Sequence, residues 1–133
     1  MDSFVSETQA LIAFARDKPA LLGRAALAAF EAFEAGRATI YVPAPVLVEV
    51  GNLARSGKVP LSTSPGAFLR QLAETDLVLL SLDPEDVVVA AELAWDHRDP
   101  FDRLIVATAL RLGLPLITND RAIAAWGGVE AVW

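Results

Sequence analysis

Short apolar runs alternate with longer segments of helical character along the whole chain, and Gly or Pro marks most of the joints. This rhythm points to an α/β fold, because parallel strands need connections long enough to hold a helix. Strands are expected at residues 4–6, 39–42, 77–81, 115–117 and 129–132. The run at 77–81 is continuously apolar, as in a strand covered on both faces. Helices are expected over 10–15, over an alanine-rich stretch at 19–35 stopped by Gly36, and over 45–56 stopped by Gly57. Further helices start at Ser64-Pro65, reaching 74, at Asp83-Pro84, reaching 95, and at Asp99-Pro100, reaching Gly113. In each pair a capping side chain precedes a proline suited to the first helical position. A short helix to Trp126 and a Gly127-Gly128 turn lead to the last strand.

The 133 residues fit one domain, 1–133, and an apolar fraction of 54% is enough for a sizeable core. No apolar stretch approaches the ~18 residues of a membrane span, since Pro43, Pro45 and Glu49 interrupt the richest one. The start Met1-Asp2-Ser3-Phe4 lacks the features of a secretory signal and cysteine is absent, so a soluble, cytoplasmic protein is expected. The net charge of −6 argues against a broad electrostatic grip on nucleic acid.

The residues with chemical potential are acids at the ends of elements. Glu7 follows the first strand, Glu49 interrupts an apolar helix, Asp99 and Asp102 open another helix, and Asp120 follows the fourth strand. Thr118-Asn119-Asp120 falls where open α/β sheets place ligands, at a strand's carboxyl end. Carboxylates brought together repel and call for a cation. With no cysteine and one histidine, the ligands would all be oxygen, which suits Mg²⁺ or Mn²⁺ rather than zinc.

Every one of these acids also has an ordinary role. Asp99 and Asp120 are good N-caps, Asp102 and Glu7 suit a helix's first turn, and Glu49 can face water. The segment Asp83-Pro84-Glu85-Asp86 repeats the D-P-x-D spacing of Asp99–Asp102, so spacing cannot separate the two. Asp86, taken as an exposed first-turn acid, should contribute only a small dipole term. His97 is isolated and reads as a helix-end or surface residue. No phosphate-binding glycine loop, dinucleotide motif or serine-hydrolase motif is present.

The segment His97-Arg98-Asp99-Pro100-Phe101-Asp102-Arg103-Leu104-Ile105-Val106-Ala107-Thr108-Ala109, followed by Leu116-Ile117-Thr118-Asn119-Asp120, resembles the C-terminal half of VapC-like PIN domains. The likeness extends through Glu7-Thr8-Gln9-Ala10-Leu11-Ile12, the helix bearing Glu49 and the closing strand. It implies a three-layer PIN-like fold, with a central, mainly parallel sheet flanked by helices. It also implies a Mg²⁺- or Mn²⁺-dependent ribonuclease, the toxin of a VapBC-type pair, acting on RNA, forming homodimers and binding a cognate antitoxin. By position, the resemblance makes Glu49, Asp102 and Asp120 metal-site acids and Asp99 an additional acid. Thr8 and Thr118 stand at its hydroxyl positions, with Asn119 beside them. Glu7 stands where the family has Asp, keeping the oxygen ligand while lengthening its reach. Arg98, Arg103 and Arg121 are candidate phosphate contacts, needed to offset the negative net charge. Two other readings remain: a PIN-like module that only binds a partner, and an unrelated α/β scaffold whose acids are caps.

Overall fold

The computed structural model describes residues 1–133. Five strands form one sheet: β1 (Asp2–Ser6), β2 (Ala38–Val42), β3 (Val78–Leu79), β4 (Leu116–Ile117) and β5 (Ala131–Val132), in the order β3-β2-β1-β4-β5. Every pairing is parallel. Seven helices flank it: α1 (Thr8–Ala15), α2 (Arg24–Glu34), α3 (Ala44–Arg55), α4 (Pro65–Ala73), α5 (Pro84–Glu92), α6 (Pro100–Leu112) and α7 (Arg121–Trp126). None is long and apolar enough to cross a membrane.

The central strands carry the core. Val5, Ile40, Val42, Leu116 and Ile117 are fully buried, joined by Leu11, Phe30, Val46, Val50 and Val106 from the helices. From β1 the sheet grows through β2 to β3 on one side, and through β4 to β5 on the other. The direction of winding therefore reverses between β1 and β4, whose carboxyl ends are the position where doubly wound sheets hold ligands.

Three local expectations are corrected by long-range contacts. The helix expected over 19–35 breaks into a 3-10 turn at Pro19–Leu21 and α2, with Leu22 and Gly23 extended between them. The Trp133 carbonyl accepts from the Ala25 and Ala26 N–H groups, and a Cβ on Gly23 would lie 2.5–2.7 Å from Trp133. The strand expected over 77–81 shrinks to β3, a sheet edge with one neighbour, where Val78 is 36% exposed. The helix expected to reach residue 95 stops at Glu92, because a side chain from α6 takes the carbonyls that would have continued it.

Asp86 differs most from expectation. It is 2% exposed rather than a surface acid. Its carboxylate accepts from the Thr108 hydroxyl at 2.8 Å and from the Arg111 guanidinium, tying α5 to α6. Arg111 also lies 4.0 Å from Asp83, which caps α5 through the Glu85 N–H. Asp86→Asn is expected to destabilise the protein by about 1.5–3 kcal/mol, the range for hydrogen bonds to a charged group. Asp83→Asn should cost far less, since Asn caps helices as well as Asp does. Urea unfolding of both variants checks this, and equal, small losses would contradict the buried bridge.

Candidate active site

Near the carboxyl ends of β1 and β4, acids from four elements come within electrostatic reach of one another. The Glu7 backbone N–H donates to the Ile117 carbonyl at 3.1 Å, so the residue leaving β1 stays attached to the end of β4. Its carboxylate accepts from Ala10 N–H at 2.7 Å and caps α1. Thr8, the next residue, donates its hydroxyl to Glu49 on α3 at 2.6 Å. Asp99 caps α6 through the N–H groups of Phe101 and Asp102 at 2.8 and 3.2 Å. Asp120 caps α7 through Ala122 and Ile123 at the same two distances. The Thr118 hydroxyl accepts from Asp120 N–H at 3.1 Å and shapes the turn after β4, while Asn119 is exposed. Capping and membership of the acid group thus coexist at Glu7, Asp99 and Asp120, because each cap uses one carboxylate oxygen.

The acids raise one another's proton affinity. Burial pushes the Glu7 carboxyl from its ordinary 4.5 to about 7, with Glu49 and Asp102 adding repulsion against the lowering effect of the α1 N–H groups. Burial also raises Glu49, opposed by its bond to Thr8 and assisted by Asp102 and Asp99. Asp102 is raised by burial and by Asp99 and Asp120, against its bond to His97. No Lys or Arg forms an ion pair with any of these acids; the salt bridges of the chain are those of Arg111 and the His97–Asp102 contact. Desolvated, like-charged groups without a counter-charge oppose folding, so their clustering points to a function.

The basic residues nearby behave differently from one another. Arg103, expected as a phosphate contact, directs its five N–H donors to four carbonyls, those of Ala90, Leu93, Trp95 and His97. It holds the 90–97 segment against α6 and has no donor left for a phosphate. Arg98 and Arg121 are exposed. His97, expected at the surface, instead places Nε2 2.7 Å from Asp102 Oδ2 and stacks on Trp95. A lone histidine two residues before a capping aspartate gives no local sign of this contact.

A family model for the PIN domain matches residues 5–128. The chain belongs to the PIN-domain family. No curated protein sequence matches it. Solved structures share the fold at low identity. One is VapBC2 from Rickettsia felis bound to a promoter DNA fragment, with TM-score 0.68 and 14% identity over 97% of this chain and 96% of that one. VapC20 from Mycobacterium tuberculosis, a toxin that cleaves the sarcin-ricin loop, gives 0.66 and 15% over 98% and 99%. A toxin–antitoxin complex from Klebsiella pneumoniae gives 0.64 and 19% over 97% and 95%.

In this PIN domain no three Asp, Glu or His side chains converge on one coordination point. The donor set, all carboxylate oxygen, is nevertheless of the kind that suits a hard divalent ion. Glu7, Glu49, Asp99, Asp102 and Asp120 each bond to the protein through one carboxylate oxygen. No buried side-chain oxygen is left without a partner, so the remaining oxygens of the part-buried acids are open to solvent.

Without a metal, Glu7 keeps its proton in the fold up to about pH 7 and loses it near 4.5 when unfolded. The folded state therefore binds more protons within that window, and stability falls as pH rises through it. Glu49 and Asp102, raised as well, act in the same direction. The Tm of metal-free protein should fall across this window, and Glu7→Gln should flatten the fall. A Tm that rises with pH in the wild type would contradict the burial of these acids.

Proposed function

We propose that the chain is a Mg²⁺- or Mn²⁺-dependent endoribonuclease, the toxin of a VapBC-type toxin–antitoxin pair, with one nuclease domain spanning 1–133 and acting in the cytoplasm. The observation that carries this reading is the group of acids without cationic partners at the β1–β4 reversal of a PIN fold. Glu7, Glu49, Asp102 and Asp120 would hold the ion. When bound, it polarises the scissile phosphate and activates water for phosphodiester hydrolysis. Thr8 keeps the Glu49 carboxylate directed, and Asp99 holds the start of α6 so that Asp102 lies beside the other acids. Exposed Arg98 and Arg121 are the remaining candidates for phosphate contacts.

Partner binding is the second part of the reading. Structural neighbours include toxin–antitoxin complexes. A cavity of about 430 Å³, lined by Phe14, Leu27, Phe30, Phe68 and Leu72 with Lys18 and Glu34 among its polar residues, lies apart from the acids. Its apolar lining suits an antitoxin segment better than a phosphodiester. The family reading also includes a homodimer.

Two outcomes are expected. Purified, antitoxin-free protein should cleave RNA with Mn²⁺ or Mg²⁺ and stop when EDTA is added. Asp102→Asn should lower that rate by more than the ~10–100-fold typical of losing an outer-shell partner of a metal ligand, while Asp86→Asn retains it at temperatures where it is folded. Equal cleavage by both variants would reduce Asp102 to a helix-start acid. In calorimetric Mn²⁺ titrations, Glu7→Asp should bind as tightly as wild type or tighter, and Glu7→Gln more weakly through loss of a charged ligand. Identical affinities for all three would remove Glu7 from the site.

A further inference from the structure

Three aromatic rings lie in series beside the acids. Trp126 stacks on Trp95 with centroids 5.0 Å apart and an interplanar angle of 21°, and Trp95 stacks on His97 at 4.5 Å and 15°. The backbone beneath them is fixed from both ends. Trp126 Nε1 donates to the Ala94 carbonyl at 3.0 Å, while Arg103 Nη1 donates to the carbonyls of Trp95 and His97 at 2.6 and 3.0 Å. Gly128 completes the support, since a Cβ there would lie 2.3–2.6 Å from the Trp126 indole. The series ends where His97 Nε2 meets Asp102 Oδ2 at 2.7 Å, with both side chains about a quarter exposed, at 28% and 23%.

An imidazole held this firmly does more than fill space. Its stacked plane and clamped backbone allow the ring little rotation. A neutral ring with the proton on Nε2 donates to Oδ2 and leaves the other Asp102 oxygen unbonded. Hydrogen bonds to ligand carboxylates orient them, and their loss typically lowers metal affinity or activity by about 10–100-fold. We propose that His97 is a positioning residue for Asp102, held in register by the Trp126–Trp95 stack and the Arg103 clamp, so that Asp102 presents its free oxygen to a divalent cation. The role rests on the metal-dependent reading given above.

The ring and the hydrogen bond can be separated by substitution. His97→Phe keeps an aromatic plane on Trp95 and removes the donor. His97→Gln loses the ring but places an amide N–H the same number of bonds from Cα as Nε2. Mn²⁺ affinity, measured from the electron paramagnetic resonance of free Mn²⁺, should fall about 10–100-fold in His97→Phe and return most of the way to wild type in His97→Gln. Long-range ¹H–¹⁵N spectra of metal-free wild type should show Nε2 protonated. Wild-type affinity in His97→Phe, with Tm the only property changed, would overturn the proposal and reduce His97 to packing. An unprotonated Nε2 in the wild type would overturn it without any variant. Wild type that binds no Mn²⁺ would instead refute the metal-dependent reading, and this role with it.

Discussion

The hydrogen bond from Glu7 N–H to the Ile117 carbonyl sits where the sheet changes its direction of growth, and the site depends on that junction. It continues the β1–β4 ladder one residue past Ser6 and brings the first residue of the chain's turn into α1 against the turn that follows β4. Parallel pairing of these two strands, whose partners Val5–Leu116 and Ser6–Ile117 lie 111 positions apart in sequence, places Glu7 and Asp120 at one end of the sheet. The helices then contribute the rest: α3 brings Glu49 to Thr8, and α6 brings Asp99 and Asp102. Burial, with repulsion from neighbouring acids added, raises the proton affinity of Glu7, Glu49 and Asp102, so the fold tolerates a local electrostatic cost that its buried core offsets.

The two D-P-x-D segments show how context divides identical local chemistry. Asp83 and Asp99 both cap helices through an N–H two residues on, at 2.8 Å. The fourth residues then diverge. Asp86 is buried, hydrogen-bonded to Thr108 and neutralised by Arg111 across the α5–α6 contact. Asp102 has no Arg or Lys, remains part exposed, and meets His97 and the other acids. The first is stabilised by a cation within the chain; the second has no Lys or Arg partner.

Much of this was legible in the chain itself. The alternation of runs and the D-P and S-P starts announced the order of strands and helices, because those signals are local and each is satisfied within a few residues. The rhythm pointed to α/β, and the resemblance of the segment around Asp99 and Asp102 implied a PIN-like fold with a mainly parallel sheet; the sheet is parallel throughout. What escaped depends on contacts distant in sequence. Trp133 interrupts the helix expected over 19–35, Arg103 ends α5 early, and Arg111 draws Asp86 inward. His97 gave no signal, since its partners are aligned by the fold of the 93–97 segment rather than by a motif.

In the proposed reading, the carboxylates at the β1–β4 reversal lack a charge that a divalent ion would supply. Crystals soaked in Mn²⁺ and measured at the manganese absorption edge test it most directly. An anomalous peak is expected among the Glu7, Glu49, Asp102 and Asp120 carboxylates, weakened in Asp102→Asn crystals. A peak confined to other acids, or none at Mn²⁺ concentrations that support cleavage, would contradict it.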